Sequence, residues 1–224
     1  MKTALITGID RGIGRALAEK FLAEGYAVIG TSLSGEINLT HQNLSVYQLD
    51  LSSPKNIASC VQSISQNTKG IDILINNAGI LLDKEETKVI VDKLRKTLEV
   101  NLIGTIDFTE RLVSSINAGG HIVNISSTAG SLEYAGEAKS HYPYHYPDYK
   151  ISKAALNMYA RTLALRMKEK NIIVSSVHPG WVRTEIGGEC ADVSPEEAAE
   201  EIFKTAISRP ETGQFWFKGE KLPW

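Results

Sequence analysis

Tyr149 and Lys153, in Tyr149-Lys150-Ile151-Ser152-Lys153, set a phenol and an ammonium four residues apart. On a helix that spacing puts both groups on one face, where the cation favours the ionised phenol. A free tyrosine titrates near ~10, too high for good proton transfer at neutral pH. Lowering it by roughly three units takes about 4 kcal/mol of differential stabilisation, within reach of one or two cations in a partly dry cleft. Alone the pair is weak evidence, because a tyrosine ring packed on a lysine stem has the same spacing. The chain's opening, Thr7-Gly8-Ile9-Asp10-Arg11-Gly12-Ile13-Gly14, offers the pair a nucleotide to work on.

In Gly8-x-x-x-Gly12-x-Gly14 the glycines follow an apolar strand and open an amphipathic helix. Backbone must turn sharply there, and amides at a helix N-terminus receive a pyrophosphate, with Asp10, Arg11 and Ile13 completing the loop. The second strand ends Ile29-Gly30-Thr31-Ser32, and no acid follows before Glu36. An NAD-selective site commonly places a carboxylate at that point, against the ribose 2′-hydroxyl. Arg11, with the Thr31 and Ser32 hydroxyls, instead suits a 2′-phosphate, so the cofactor is read as NADP(H) rather than NAD(H). Asp50-Leu51 after the third strand suits an adenine, the acid accepting from its amino group, or equally caps the helix near Pro54. Asn76-Asn77-Ala78-Gly79 closes the fourth strand, and its small Ala78 and Gly79 beside Asn77 let backbone approach a cofactor.

These residues need a frame, and the periodicity supplies one. Short β-branched runs at 4–7, 27–31, 46–49, 71–75, 121–126, 172–178 and, more weakly, 214–217 alternate with helical segments at 12–24, 54–66, about 85–117, 149–170 and 195–208. The alternation predicts an α/β fold: a single doubly wound Rossmann-type domain over residues 1–224, its seven-stranded parallel sheet flanked by helices on both faces. Ser53-Pro54 and Ser194-Pro195-Glu196-Glu197 read as helix starts, the second with a capping box. A net charge of −2 points away from nucleic acid and anionic membranes. Two distant cysteines, Cys60 and Cys190, make a disulfide framework or zinc site improbable, and read as packing residues in a reducing compartment. No stretch approaches the ~18 apolar residues of a membrane span, so a cytoplasmic protein acting on a small molecule is expected.

Taken together, Thr7-Gly8-x-x-x-Gly12-Ile13-Gly14, Asn76-Asn77-Ala78-Gly79, Asn101, Ser126-Ser127, Tyr149-x-x-x-Lys153 and Pro179-Gly180 resemble the short-chain dehydrogenase/reductase family, in order and from residue 3 onward. Within it, His178-Pro179-Gly180-Trp181-Val182-Arg183-Thr184 and the ending Gly219-Glu220-Lys221-Leu222-Pro223-Trp224 look most like the C-factor and sniffer-type carbonyl reductases. The resemblance implies a catalytic tetrad of Asn101, Ser127, Tyr149 and Lys153. Tyr149 would be general acid in reduction, Lys153 would lower its pKa and bind the nicotinamide ribose, Ser127 would hold the substrate carbonyl, and Asn101 a relay water. Ser126 is an alternative to Ser127. Pro179, Gly180 and Val182 would line the nicotinamide, with the Thr184 hydroxyl reaching its carboxamide or a phosphate.

The chain departs from the family in the interval from Ser127 to Tyr149, 22 positions along the chain and longer than usual. The surplus falls in Ser140-His141-Tyr142-Pro143-Tyr144-His145-Tyr146-Pro147, expected to form an aromatic wall or lid over substrate. His141 and His145 lack a third ligand for a metal. Such an insertion leaves monomer, dimer or tetramer open. The short 185–193 segment suggests an open site and a small aldehyde or ketone, reduced to its alcohol. The competing expectation is a nucleotide-binding signalling or interaction protein of the C-factor type with little turnover.

Overall fold

Successive residues of a strand face opposite sides of its sheet, and here both sides are apolar. Leu5, Ile29, Leu74, Ile122 and Val174 enter one buried cluster, whereas Ala4, Ile6, Val28, Ile73, Ile75 and Val123 enter the other. Burial on both faces is why these segments read as near-continuous apolar runs. The computed structural model describes residues 1–135 and 145–224. Its strands are β1 (Thr3–Ile6), β2 (Ala27–Ser32), β3 (Leu44–Gln48), β4 (Ile71–Asn76), β5 (Ile116–Ile125), β6 (Ile173–Val177), β7 (Gln214–Phe217) and β8 (Glu220–Leu222). Its helices are α1 (Gly12–Ala23), α2 (Pro54–Asn67), α3 (Val91–Leu98), α4 (Thr105–Leu112), α5 (Leu132–Ala135), α6 (Pro147–Met167) and α7 (Pro195–Ile207).

The sheet order is β3-β2-β1-β4-β5-β6-β7-β8, parallel from β3 to β7. The order reverses between β1 and β4, the crevice where doubly wound sheets hold ligands. Leu17 and Phe21 of α1 with Ile202 and Phe203 of α7 cover one face. Ile57 of α2, Phe108 of α4 and Leu163 of α6 cover the other. Ser53 caps α2 by accepting from the Asn56 amide, and Ser194 and Glu197 form a reciprocal capping box on α7, as their spacing predicts.

The sheet departs from the expectation of seven parallel strands. An eighth, β8, pairs antiparallel with β7 across a two-residue turn, Lys218 and Gly219, both at positive φ. That geometry is a primed hairpin turn, whose usual signal is Asn-Gly or Asp-Gly; a lysine in the first place and three mostly polar residues after it hide the hairpin. The long helix expected over 85–117 is also shorter and broken. It begins at Val91, widens into a π turn over Glu99–Gly104 and ends at Leu112. Cys60 packs in the core, but Cys190 is exposed. Among the described residues no helix is long and apolar enough to cross a membrane.

His121 ties three elements together, its ring nitrogens meeting the Ala206 carbonyl at 2.9 Å and the Ser175 hydroxyl at 2.8 Å. Burial depresses its pKa from 6.5 to about 4. The unfolded chain therefore binds the extra proton between those values, so stability conferred by the neutral ring is complete above pH 6.5 and lost as pH falls toward 4. Urea unfolding should show a loss of about 3 kcal/mol over that window from this residue. A His121→Gln variant should show a correspondingly shallower slope, and an unchanged slope would refute the assignment.

Candidate functional site

The segments leaving the carboxyl ends of β1, β2, β4, β5 and β6 wall a cleft of about 1870 Å³. Of the catalytic and cofactor-binding residues expected from the sequence, all line it except Asn101. Its foundation is a close approach of two loops. A Cβ on Gly14 would lie 1.9 Å from the Gly8 carbonyl oxygen and 2.5 Å from Asn77 Nδ2, so only glycine fits. Asn77 Nδ2 donates to the Thr7 and Gly8 carbonyls at 2.9 and 3.2 Å. The Thr7 hydroxyl accepts from the Asn77 and Ala78 amides, each at 3.0 Å. Above this, α1 starts at Arg11 with no side-chain cap and no acid in its first turn. Uncapped first-turn amides at the positive end of a helix, with glycines Gly12 and Gly14 beside them, fit a pyrophosphate.

Around that cradle several predicted ligands have other partners. Arg11 is exposed and pairs with Glu185 at 2.8 Å, bridging the cleft mouth, with Asp10 at 3.9 Å. The Thr31 hydroxyl accepts from the Gly8 amide at 3.4 Å, and that of Ser32 donates to the Glu36 carbonyl at 3.1 Å. Asp50 Oδ1 accepts from the Ser52 amide and hydroxyl at 2.9 and 2.6 Å, closing the turn into α2, whose cap is Ser53. The Thr184 hydroxyl donates to the Val182 carbonyl at 3.3 Å and accepts from the Gly187 amide at 3.1 Å. Trp181 donates its indole N–H to the Gly187 carbonyl at 2.8 Å, which pins the 182–193 segment while the ring lines the cleft.

Tyr149 stands in the first turn of α6 and Lys153 one turn later. The Ser127 hydroxyl accepts from the Ala129 amide at 3.1 Å and lies close enough to the Tyr149 phenol to pull its pKa down; the Ser126 hydroxyl is buried without a partner. Lys153 is buried, donates to the Ile125 carbonyl at 2.8 Å and lies 5.5 Å from the centre of the Tyr149 ring. Burial, and secondarily Tyr146, pushes the Tyr149 phenol up, against a smaller downward pull from Ser127, while burial lowers Lys153 to about 8. The lowered phenol expected from spacing is thus not found: desolvation penalises both charged forms, and the ammonium is directed at a carbonyl. Asn101 sits behind the cleft wall, within the π turn. Its amide accepts from the Ile80 N–H at 2.8 Å and donates to the Ile80 carbonyl and Ser152 hydroxyl at 2.9 and 3.2 Å.

Two buried acids beside Tyr149 escape sequence reading. Asp83 lies in the polar run Asp83-Lys84-Glu85-Glu86, which reads as a solvated loop, and Asp148 reads as an acid at a helix start. Both are fully buried. Of the aromatic run, residues 140–144 lie outside the described residues, while His145 and Tyr146 line the cleft. The Tyr146 and Tyr149 rings meet edge-on at 6.2 Å.

The short chain dehydrogenase family model matches residues 2–195. The chain is 31% identical over 221 residues to a 3-oxoacyl-(acyl-carrier-protein) reductase of Aquifex aeolicus, covering 94% of this chain and 86% of that one. It superposes on the NADPH-bound carbonyl reductase from chicken fatty liver with a TM-score of 0.91, at 26% identity, covering 100% of this chain and 94% of that one. On the carbonyl reductase Sniffer of D. melanogaster the TM-score is 0.87, at 26% identity and full coverage of both chains.

Burial, then the charge of Asp83, raises the Asp148 carboxyl from 3.8; Glu86 adds to this, while the Ile90 amide and Lys93 oppose it. The folded protein holds that proton above the pH at which the unfolded chain releases it, so this group's contribution to stability declines as pH rises from about 4. Asp148→Asn should leave melting temperature unchanged near pH 4 and raise it progressively toward pH 7. A gain independent of pH would contradict the buried acid.

Proposed function

The chain belongs to the short chain dehydrogenase family, and from that premise we propose that it is an NADPH-dependent oxidoreductase that reduces a small aldehyde or ketone to its alcohol, acting as one catalytic domain over residues 1–224. The observation that carries this reading is that Ser127, Tyr149 and, one helical turn on, Lys153 line the same cleft as the glycine loop. NADP(H) is favoured by the NADPH- and NADP-bound relatives, the second from Burkholderia multivorans at 28% identity and TM-score 0.88. It is favoured also by Arg11, which reaches a 2′-phosphate by exchanging Glu185 for it.

A dinucleotide held by the glycine loop would supply the hydride that the carbonyl carbon receives. Ser127 donates to the carbonyl oxygen and holds it against the phenol. Tyr149 gives that oxygen its proton and regains one from solvent. An uncharged phenol is the form that donates, so a pKa raised by burial keeps Tyr149 loaded as an acid. Lys153, lowered to about 8, titrates close to working pH and provides the positive charge that stabilises the phenolate left behind. Asn101 holds Ile80 and, through Ser152, the first turn of α6. Several relatives are named 3-oxoacyl-(acyl-carrier-protein) reductases, and a 3-oxoacyl group is also a ketone, so that class belongs in any substrate panel.

The purified protein should oxidise NADPH, followed by its absorbance, with at least one member of a panel of aromatic aldehydes, aliphatic ketones, quinones and 3-oxoacyl thioesters. Tyr149→Phe should lose ~100-fold or more of kcat while NADPH affinity stays within about threefold. Nucleotide binding with no turnover across the panel would instead favour a signalling role. Arg11→Ala should weaken NADPH by roughly tenfold, about 1.4 kcal/mol, and leave NADH unaffected; equal affinities of the unaltered protein for the two would overturn the cofactor choice.

A further inference from the structure

Helix α6 carries both Tyr149 and Lys153, yet its own N-terminus is poorly held. Its N-cap residue, Tyr146, has φ 46 and ψ 54 and gives no side-chain cap, and Pro147 follows. Tyr149 is only the third residue of the helix, in the turn whose amides have no intrahelical acceptor and which frays first. A group from far along the chain fills the gap. Asp83 Oδ2 accepts from the Asp148 amide at 2.7 Å and, more weakly, from the Tyr149 amide at 3.4 Å. The contact is dry, since Asp83 and Asp148 are both fully buried. The same turn fixes the cap residue: the Tyr146 amide donates to the Glu86 carbonyl at 2.9 Å, and the Glu86 amide donates to the Asp83 carbonyl at 2.9 Å. Lys93 of α3 holds the Glu86 carboxylate at 2.6 Å.

This turn continues the segment that builds the cleft. Asn77 is stitched to Thr7 and Gly8, Ile80 is clamped on both sides by Asn101, and Asp83 follows three residues later. We propose that Asp83 is the positioning residue for Tyr149: its carboxylate supplies the cap that α6 lacks and sets where the phenol stands relative to Ser127 and to the segment that meets the cofactor. A carboxylate suits the task because negative charge is favourable at a helix N-terminus and charge-assisted bonds to amides are short and strong. Asp148, beside it, has its carboxyl pushed up by burial and by the Asp83 charge, which lessens the competition of two carboxylates for one dry site. Asp83 acts through the backbone and touches no reacting atom, so its loss should lower turnover rather than binding.

The inference rests on Tyr149 as the proton donor, and the experiment separates the two. NADPH dissociation constants and steady-state kinetics, with the panel carbonyl reduced fastest, are measured for the unaltered protein, Tyr149→Phe, Asp83→Ala, Asp83→Asn and Met167→Ala. Asp83→Ala should lower kcat by at least tenfold, about 1.4 kcal/mol, with KM and the NADPH dissociation constant within threefold. Asp83→Asn, which keeps an oxygen acceptor for both amides, should recover kcat to within threefold. Met167→Ala, a core truncation at the far end of the same helix, should lower melting temperature and leave kcat unchanged. If Asp83→Ala does not fold, Asp83→Glu, one methylene too long, takes its place with the same expected split. Normal kcat in the Ala or Glu variant, a loss that Asn does not rescue, or a loss carried by KM would overturn the positioning role. If the unaltered protein does not turn over, or Tyr149→Phe does, the reading of Tyr149 fails and this inference falls with it.

Discussion

The contact between Gly14, Gly8 and Asn77 is what the rest of the site hangs from. A helix can begin directly over the Gly8 carbonyl of the loop before it only if its first turn has no side chain at the point of contact, and Gly14 meets that condition. The Thr7 hydroxyl and Asn77 amide then join the loops leaving β1 and β4, the strands on either side of the sheet's reversal. These loops lie where uncapped amides gather at the start of α1, so the anion cradle and the wall facing it are one unit. A methyl group at Gly14 would collide with the Gly8 backbone and the Asn77 side chain at once.

From that unit the chain reaches Tyr149 and Lys153 through polar contacts rather than apolar packing. Asn101 interrupts its helix with a π turn and presents both ends of its amide to Ile80. Gly104, later in the π turn, lies so close to Leu51 that a Cβ would be 1.9 Å from its carbonyl oxygen. Asp83 meets α6, and Ser152 links α6 back to Asn101. Buried networks of this kind specify one arrangement, because breaking any member strands a polar group in a dry interior. The Tyr149 phenol and Lys153 ammonium share that interior, and its dryness moves both toward their neutral forms.

The frame was largely legible in the chain. Apolar runs of strand length alternating with amphipathic segments specify a doubly wound sheet, and the Ser53 and Ser194 caps follow from local spacing alone. What local pattern failed to disclose was β8, hidden by an unusual hairpin turn, and the break in the helix around Asn101, whose cause is a partner twenty-one residues away at Ile80. The constellation of Ser127, Tyr149 and Lys153 was readable by residue type and order, and the structure sets Ser127 rather than Ser126 against the phenol.

The amino-acid sequence by itself determined which groups are present and on which elements, because propensity, period and glycine placement act over a few residues. Tertiary structure alone decided their environments. Whether Tyr149 is raised or lowered depends on how much water reaches it and on where the Lys153 ammonium points, and both follow from packing between distant segments. Likewise Asp83 and Asp148, ordinary surface acids by sequence, become a buried cap and its buried neighbour only when the turn after β4 folds over the start of α6. Desolvation and long-range hydrogen bonding have no local signature, and for that reason the placing of Tyr149 and Lys153 one turn apart on a helix was legible in the chain while their electrostatics was not.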